Sequence, residues 1–300
     1  MIATSLYRLT GVFAVTLLLG SRLPAAPSGT FQPLHDPATG EQHPGKFVWA
    51  DLFTTDPVAA AKFYSGLFGW TASTVDQKGR VYTVFSNNGH PVAGLAQRSP
   101  NAKNKLSRWI GYIAVADVKA TLALATPAGG QVRAPARDFP QRGLQAIITD
   151  NEGSPVGLLQ SSTGDSTDAD PQPGDWNWFE LYAREPKGTA AFYGKVFSYA
   201  VAPDDRTERK NDWLLTGDDV PRAGVAPIPD REEAEPGWLG VVRVASIDDA
   251  IKKVSMLGGE VLVAPREVAY ESRFAVIADP TGGTVGLVEY VDNANPATRQ

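Results

Sequence analysis

Cysteine is absent from this 300-residue chain, and histidine occurs only at His35, His43 and His90. The first absence removes disulfides, thiol nucleophiles and thiolate metal sites together. The second leaves too few imidazoles for a histidine-rich metal centre. There is no basic run, and the net charge is −5, which argues against a nucleic-acid or anionic-membrane partner. No Ser-His-Asp set, phosphate-binding glycine loop or Rossmann fingerprint is present; the glycine pairs follow helices or occupy turns. The longest apolar run, Val12–Gly20 behind Arg8, falls well short of the roughly 20 residues of a spanning helix. With the small-residue exit Leu23-Pro24-Ala25 it reads as an export signal over residues 1–25, an uncleaved N-terminal anchor being the alternative.

What is present is a repeat. Residues 56–70, DPVAAAKFYSGLFGW, read as a helix capped by Asp56, with Pro57 in its first turn and Gly69 at its end. Ala60, Phe63, Tyr64, Leu67 and Phe68 form one apolar stripe. The pattern returns 129 residues later in EPKGTAAFYGKVFSY, residues 185–199. Trp109 and Trp238, Gly157 and Gly286, and the turns at Asp150 and Asp279 keep the same spacing. So many anchors at one offset establish a tandem duplication. Within each copy, Gly129-Gly130 and Gly258-Gly259 close a second helix, so each copy holds two modules. The expected organisation is a flexible lead-in at 26–45, a domain at 46–160 and a linker at 161–175. A second domain at 176–290 and a tail at 291–300 complete it.

A strand–helix–three-strand unit used twice per domain, with FYSGLFGW after the first strand and DPTGGTVGLVEY at the end, resembles the vicinal oxygen chelate superfamily of glyoxalases, bleomycin-resistance proteins and extradiol dioxygenases. The resemblance covers Lys46 to Tyr290 and implies an α+β fold. In it, tandem βαβββ modules pair into incomplete, curved-sheet barrels whose concave faces hold ligand. Metal-dependent members carry His or Glu on the first strand and Glu on the last strand of their modules. Here the corresponding positions are Trp49, Ile110, Trp178 and Leu239, with Gly157 and Gly286 on the last strands. None offers a metal ligand, so the expectation is no metal and no other cofactor.

Strand alternation sends Trp49, Asp51 and Phe53 to one face and Val48, Ala50 and Leu52 to the other. By the same alternation Trp176, Trp178, Glu180 and Tyr182 face the second cup, with Tyr112 and Arg243 entering from the second and fourth modules. An aromatic floor with one carboxylate suits a flat or cationic organic molecule. Asp51 and Glu180 are the candidate acid/base groups; partly solvated or arginine-paired acids, such as Glu180 with Arg243, are the alternative. Tyr82, Trp213 and Tyr270 lie on later strands with undecided facing, His90 reads as a rim residue, and Glu289 as structural. Three functions remain open: a metal-free binder of a small organic molecule, an acid–base enzyme of the same fold, and an interaction protein whose cups are filled by its own side chains. The expected protein is exported and monomeric, its domains packed as an intrachain pseudo-dimer, with a homodimer as the alternative.

Overall fold

The computed structural model describes residues 31–76, 81–98, 107–207, 210–229, 235–268 and 272–290. The export signal, the tail and Tyr270 lie outside them. In the first domain β1 (Phe47–Thr54), α1 (Pro57–Phe68), β2 (Thr71–Asp76), β3 (Val81–Asn87) and β4 (His90–Gln97) form one module. β5 (Arg108–Ala114), α2 (Val118–Ala125), β6 (Gln131–Phe139), β7 (Gly143–Thr149) and β8 (Pro155–Ser161) form the next. The second domain repeats the plan. Its third module comprises β9 (Trp176–Ala183), α3 (Pro186–Phe197), β10 (Ala200–Pro203), β11 (Trp213–Gly217) and β12 (Val220–Pro227). Its fourth comprises β13 (Gly237–Arg243), α4 (Ile247–Met256), β14 (Glu260–Val268), β15 (Ser272–Ala278) and β16 (Thr284–Tyr290).

Each domain is one eight-stranded mixed sheet, ordered β2-β3-β4-β1-β5-β8-β7-β6 and β10-β11-β12-β9-β13-β16-β15-β14. Neither sheet closes into a barrel, so the α+β expectation of curved, incomplete barrels holds. The opening strands of two modules pair antiparallel at each centre, β1 with β5 and β9 with β13, and each takes its own module's last strand in parallel. β6, with mostly exposed side chains, carries little apolar signal and was not separable from loop in the sequence.

Local chemistry fixes the helices. The Asp56 carboxylate accepts from Ala59 N at 3.0 Å, and Gly69 ends α1 in the left-handed region at φ 76°. The start of α3 has no such cap of its own; Glu152, from the turn between β7 and β8, accepts from Arg184 N and Glu185 N at 2.7 Å each. The first domain thus caps a helix of the second. Glu289 sits on the helix-bearing side as expected, accepting from Ile247 N at the start of α4 at 3.0 Å.

The two domains pack through their helix-bearing faces. One core joins Leu52, Phe63 and Tyr64 of the first module to Val254, Ile277 and Leu287 of the fourth. A second core joins Ile113, Ile148 and Leu158 of the second module to Leu181, Phe192 and Val225 of the third. Duplicated polar contacts within each domain hold the tyrosines at these faces. Trp109 Nε1 donates to the Tyr64 hydroxyl at 2.9 Å and Trp238 Nε1 to the Tyr193 hydroxyl at 2.8 Å. Tyr193 in turn donates to Asp150 of the other domain at 3.2 Å. Because helices and cores lie between the sheets, the two concave faces look outward, away from each other.

Three readings of the sequence change here. A bulge skips Val48 between the Phe47–Ile113 and Trp49–Tyr112 pairs, and its duplicate skips Asn177 between Val242–Trp176 and Val241–Trp178. An extra residue in one strand reverses the facing of everything before it. Trp176, expected in the second cup, therefore lies in the interdomain core against Trp70, Trp109 and Phe179, its indole donating to the Val92 carbonyl at 2.9 Å. Phe47 does the same, stacked on Phe179 at 4.1 Å, while Val48 packs with the first cup instead of under the helix. The lead-in is not loose from residue 31 onward: Phe31 and Leu34 are buried against the first sheet. Within the lead-in His35 and His43 are half-buried, His43 bonded to Glu41 at 2.8 Å. The linker is likewise held, by Trp70 Nε1 on the Gly174 carbonyl and by Asn87 on Pro173 and Asp175.

Candidate functional site

The two cups are built on matched residues. Trp49 and Asp51 on β1 correspond to Trp178 and Glu180 on β9, and in each pair the indole N–H donates to the carboxylate at 2.8 Å. Each carboxylate lies over a glycine of the neighbouring parallel strand. A Cβ on Gly94 would stand 2.1 Å from Asp51 Oδ1, and one on Gly224 would stand 2.1 Å from Glu180 Oε2. Glycine at the midpoint of β4 and β12 is what lets an acid lie flat on the floor of each cup.

The first cup is closed. Trp49 is 2% exposed, Asp51 6% and Tyr112 3%, and Phe53 packs at the edge of the same cluster. Tyr82, left undecided in the sequence, donates its hydroxyl to Asp51 and accepts from Arg142 Nη1 at 2.9 Å. Burial, then the Asp51 charge, pushes the hydroxyls of Tyr82 and Tyr112 far up, so both stay protonated and act as donors rather than bases. The guanidinium of Arg142 lies over three rings, 4.6 Å from Trp49 and 5.1 Å from both Tyr82 and Phe31. Its Nε donates to the Gln32 carbonyl at 3.2 Å. Thus the lead-in seals the cup, Phe31 and Leu34 supplying apolar cover and Gln32 a backbone acceptor.

Arg142 and the lead-in were missed in the sequence. The signal for Arg142 was local: Gly143 has φ 106°, and a Cβ there would meet the Gln160 carbonyl at 2.0 Å, so the glycine is required by the turn that aims its neighbour inward.

The second cup is more open. Trp178, Glu180 and Tyr182 share one face of β9 and are all half-buried, as are Leu214, Phe274 and Val276 on neighbouring strands. The register brings these together: Leu239 stands opposite Glu180, Val241 opposite Trp178, and Gly224 beside Glu180. Arg206, on the loop after β10, lies 5.4 Å over the Trp178 ring and is held by Asp204 through bonds of 2.7 and 2.8 Å. Arg243, expected in this cup, turns to the linker instead, donating to the Pro171 carbonyl at 2.8 Å and lying over Tyr290 at 5.3 Å. Trp213 packs at the edge of the interdomain core, with Lys187 over its ring at 5.8 Å. His90 is exposed, beside the Asn88-Gly89 turn.

The fold family implies a divalent metal, and the cups offer few donors for one. The first cup holds one carboxylate, already bonded to an indole and a phenol, and the second holds Glu180. Among the described residues no three His, Cys, Asp or Glu side chains converge. Gly157 and Gly286, at the last-strand ligand positions, face Tyr112 and Phe274. This donor set does not fit a divalent cation, which takes several oxygen or nitrogen ligands at one point.

Comparison with known proteins agrees with this architecture. Residues 46–158 match the model of the Glyoxalase/Bleomycin resistance protein/Dioxygenase superfamily, and residues 178–288 match that of the Glyoxalase-like domain. A Mycobacterium tuberculosis protein named "Putative glyoxylase CFP32" is 33% identical over 260 residues, covering 84% of this chain and 98% of its own. The Anthracycline biosynthesis protein DnrV of Streptomyces peucetius is 28% identical, covering 82% of this chain and 94% of its own. Among solved structures, the Mn(II)-bound glyoxalase from Novosphingobium aromaticivorans superposes with a TM-score of 0.57 at 16% identity, covering 86% of each chain. The 2,3-dioxygenase LapB from Pseudomonas sp. KL28 gives 0.56 at 13% identity, over 86% of this chain and 96% of its own. These last two bear on the fold alone. By its matches in both halves and a relative one-third identical along nearly its whole length, the chain belongs to the Glyoxalase/Bleomycin resistance protein/Dioxygenase superfamily, with two such domains in tandem.

Proposed function

We propose that this is an exported, metal-independent member of the superfamily that binds a small, planar organic molecule in its second cup. One observation carries the reading: Trp178 and Glu180 are half-buried where their duplicates Trp49 and Asp51 are sealed. A large aromatic face beside a carboxylate, left partly open in an apolar concavity, is the usual composition of a small-molecule site. The relatives named for anthracycline biosynthesis favour a polycyclic aromatic ligand. The poor fit of the donor set to a metal supports a mode of binding through ring stacking and hydrogen bonds. The first cup, by contrast, is filled by the chain itself, as the interaction-protein reading expected of both.

A second reading has the relatives' glyoxylase name in its favour: Glu180 as the proton acceptor of an acid–base enzyme. The two separate cleanly. Titration calorimetry with an anthracycline and a panel of smaller planar aromatics should find Trp178→Ala at least about tenfold weaker than the parent, a loss of about 1.4 kcal/mol, within the range of aromatic stacking. Glu180→Gln should keep affinity within a few fold under both readings and abolish turnover only under the second. Binding that survives Trp178→Ala and disappears with Trp49→Ala would place the ligand in the other cup and sink the proposal.

A further inference from the structure

The first cup contains an unfinished contact. Arg142 is 2% exposed, and its Nη2 is buried without a hydrogen-bond partner. Its Nη1 is taken by the Tyr82 hydroxyl. On the opposite edge Nε and Nη2 point the same way, and only Nε is answered, by the Gln32 carbonyl at 3.2 Å. That edge is a two-pronged donor whose natural complement is a planar pair of oxygens, as in a carboxylate. A single peptide oxygen satisfies half of it. A buried N–H left unpaired has given up its water partner without replacement, which is destabilising.

The apolar half of the same contact comes from the residue before. The Phe31 ring stands edge-on to Tyr82 at 5.1 Å and to Phe139 at 5.6 Å, with the Arg142 guanidinium over its face. Leu34 belongs to the same buried cluster as Trp49 and Tyr112. An aromatic ring a few bonds from a carbonyl oxygen, seated in an aromatic box under an arginine, has the shape of a small aryl carboxylate. Asp51 does not compete for the free edge, since its Oδ1 faces the Trp49 indole and the Tyr82 hydroxyl.

We propose that the first cup is a second binding site, for an aryl carboxylate held by the Nε/Nη2 edge of Arg142, and that residues 31–34 occupy it as an internal stand-in which such a ligand displaces. Displacement exchanges one neutral acceptor for two charged ones and one phenyl group for another. The ordering of the lead-in is what the incoming ligand must overcome, so the plugged chain binds weakly and the unplugged chain binds well.

The inference is independent of what the second cup binds, and the test is built to keep them apart. In the full chain carrying Trp178→Ala, phenylacetate and its uncharged isostere phenylacetamide are titrated calorimetrically, with and without the double substitution Phe31→Ala/Leu34→Ala. The expected result is phenylacetate binding at least about tenfold tighter in the unplugged variant, with phenylacetamide about tenfold weaker than phenylacetate, as loss of a charge-assisted bidentate pair dictates. Adding Arg142→Gln should erase the preference for the acid. Equal affinities for acid and amide, or no gain on unplugging, would overturn the proposal. Should the double variant not fold, Phe31→Ala alone at high phenylacetate serves: the Trp49 indole N–H resonance must shift, and its failure to move refutes the site.

Discussion

Trp176→Ala should cost about 3 kcal/mol of stability, whereas Trp178→Ala, two residues along the same strand, should cost no more than about 1 kcal/mol. Trp176 sits between Trp109 at 5.2 Å and Phe179 at 5.3 Å, near Trp70 at 6.1 Å, and its indole closes a bond to Val92 of the other domain. It also lies over Gly240, where an added Cβ would stand 2.5 Å from its ring, so the tryptophan occupies space the partner strand leaves for it. Its removal opens a hole in the core shared by both domains. It is half-buried, which sets the expected loss at the lower end for a tryptophan truncation. Trp178 instead leans into an open cup, where its absence is filled by solvent. Guanidinium melts of the two variants check the contrast, and equal losses would mean that β9 is not bulged at Asn177.

That contrast also shows where the sequence stopped being legible. The duplication and the helices followed from the 129-residue offset of Trp109 and Trp238 and of the capped segments, because periodicity and capping are local, whereas the curved sheets were implied by the family resemblance of FYSGLFGW and DPTGGTVGLVEY. Alternation placed Trp49, Asp51, Trp178 and Glu180 correctly on the concave faces. It failed at Trp176 and Val48 because a bulge depends on how two strands pair, and nothing in either strand alone announces it. The mid-strand glycines Gly94 and Gly224 drew no reading as points of close approach, yet each lies under the acid of its cup. Arg142 and the lead-in were out of reach for another reason. Their contacts join residues about a hundred positions apart, as Arg142 does with Gln32, and composition describes such a segment only as polar and proline-rich. The difference between the cups, sealed in one and open in the other, is therefore a tertiary fact laid over two copies of one pattern of anchors.

Asp168→Asn should remove about 2 kcal/mol at neutral pH, and the loss should fade as the solution is acidified. Asp168 lies in the linker and receives Arg222 through bonds of 2.5 and 3.1 Å and Lys46 at 3.0 Å, with His43 at 3.7 Å. Lys46 opens the first domain, Arg222 belongs to β12 of the second, and the aspartate binds them to the segment between. The Arg222 hydrogen bonds, reinforced by Lys46, hold its carboxyl well below the usual carboxylate range despite partial burial. Loss of the charge leaves the Arg222 guanidinium, with 4% of its side chain exposed and its Nε already without a partner, facing no counter-ion. Breaking a fully buried pair costs about 3–5 kcal/mol; with 35% of the Asp168 side chain in contact with solvent, screening reduces that to about 2 kcal/mol. A carboxyl whose folded value is depressed contributes stability above its unfolded value of about 3.9, and that contribution is lost as pH falls toward the folded value. The gap between parent and variant should thus be constant from pH 7 to about 5 and close progressively below about 4. Urea denaturation across that range measures it. A gap that persists unchanged at pH 2 would show that Asp168 acts through its shape and neutral hydrogen bonds rather than its charge, and the linker would then be held by Trp70 and Asn87 instead.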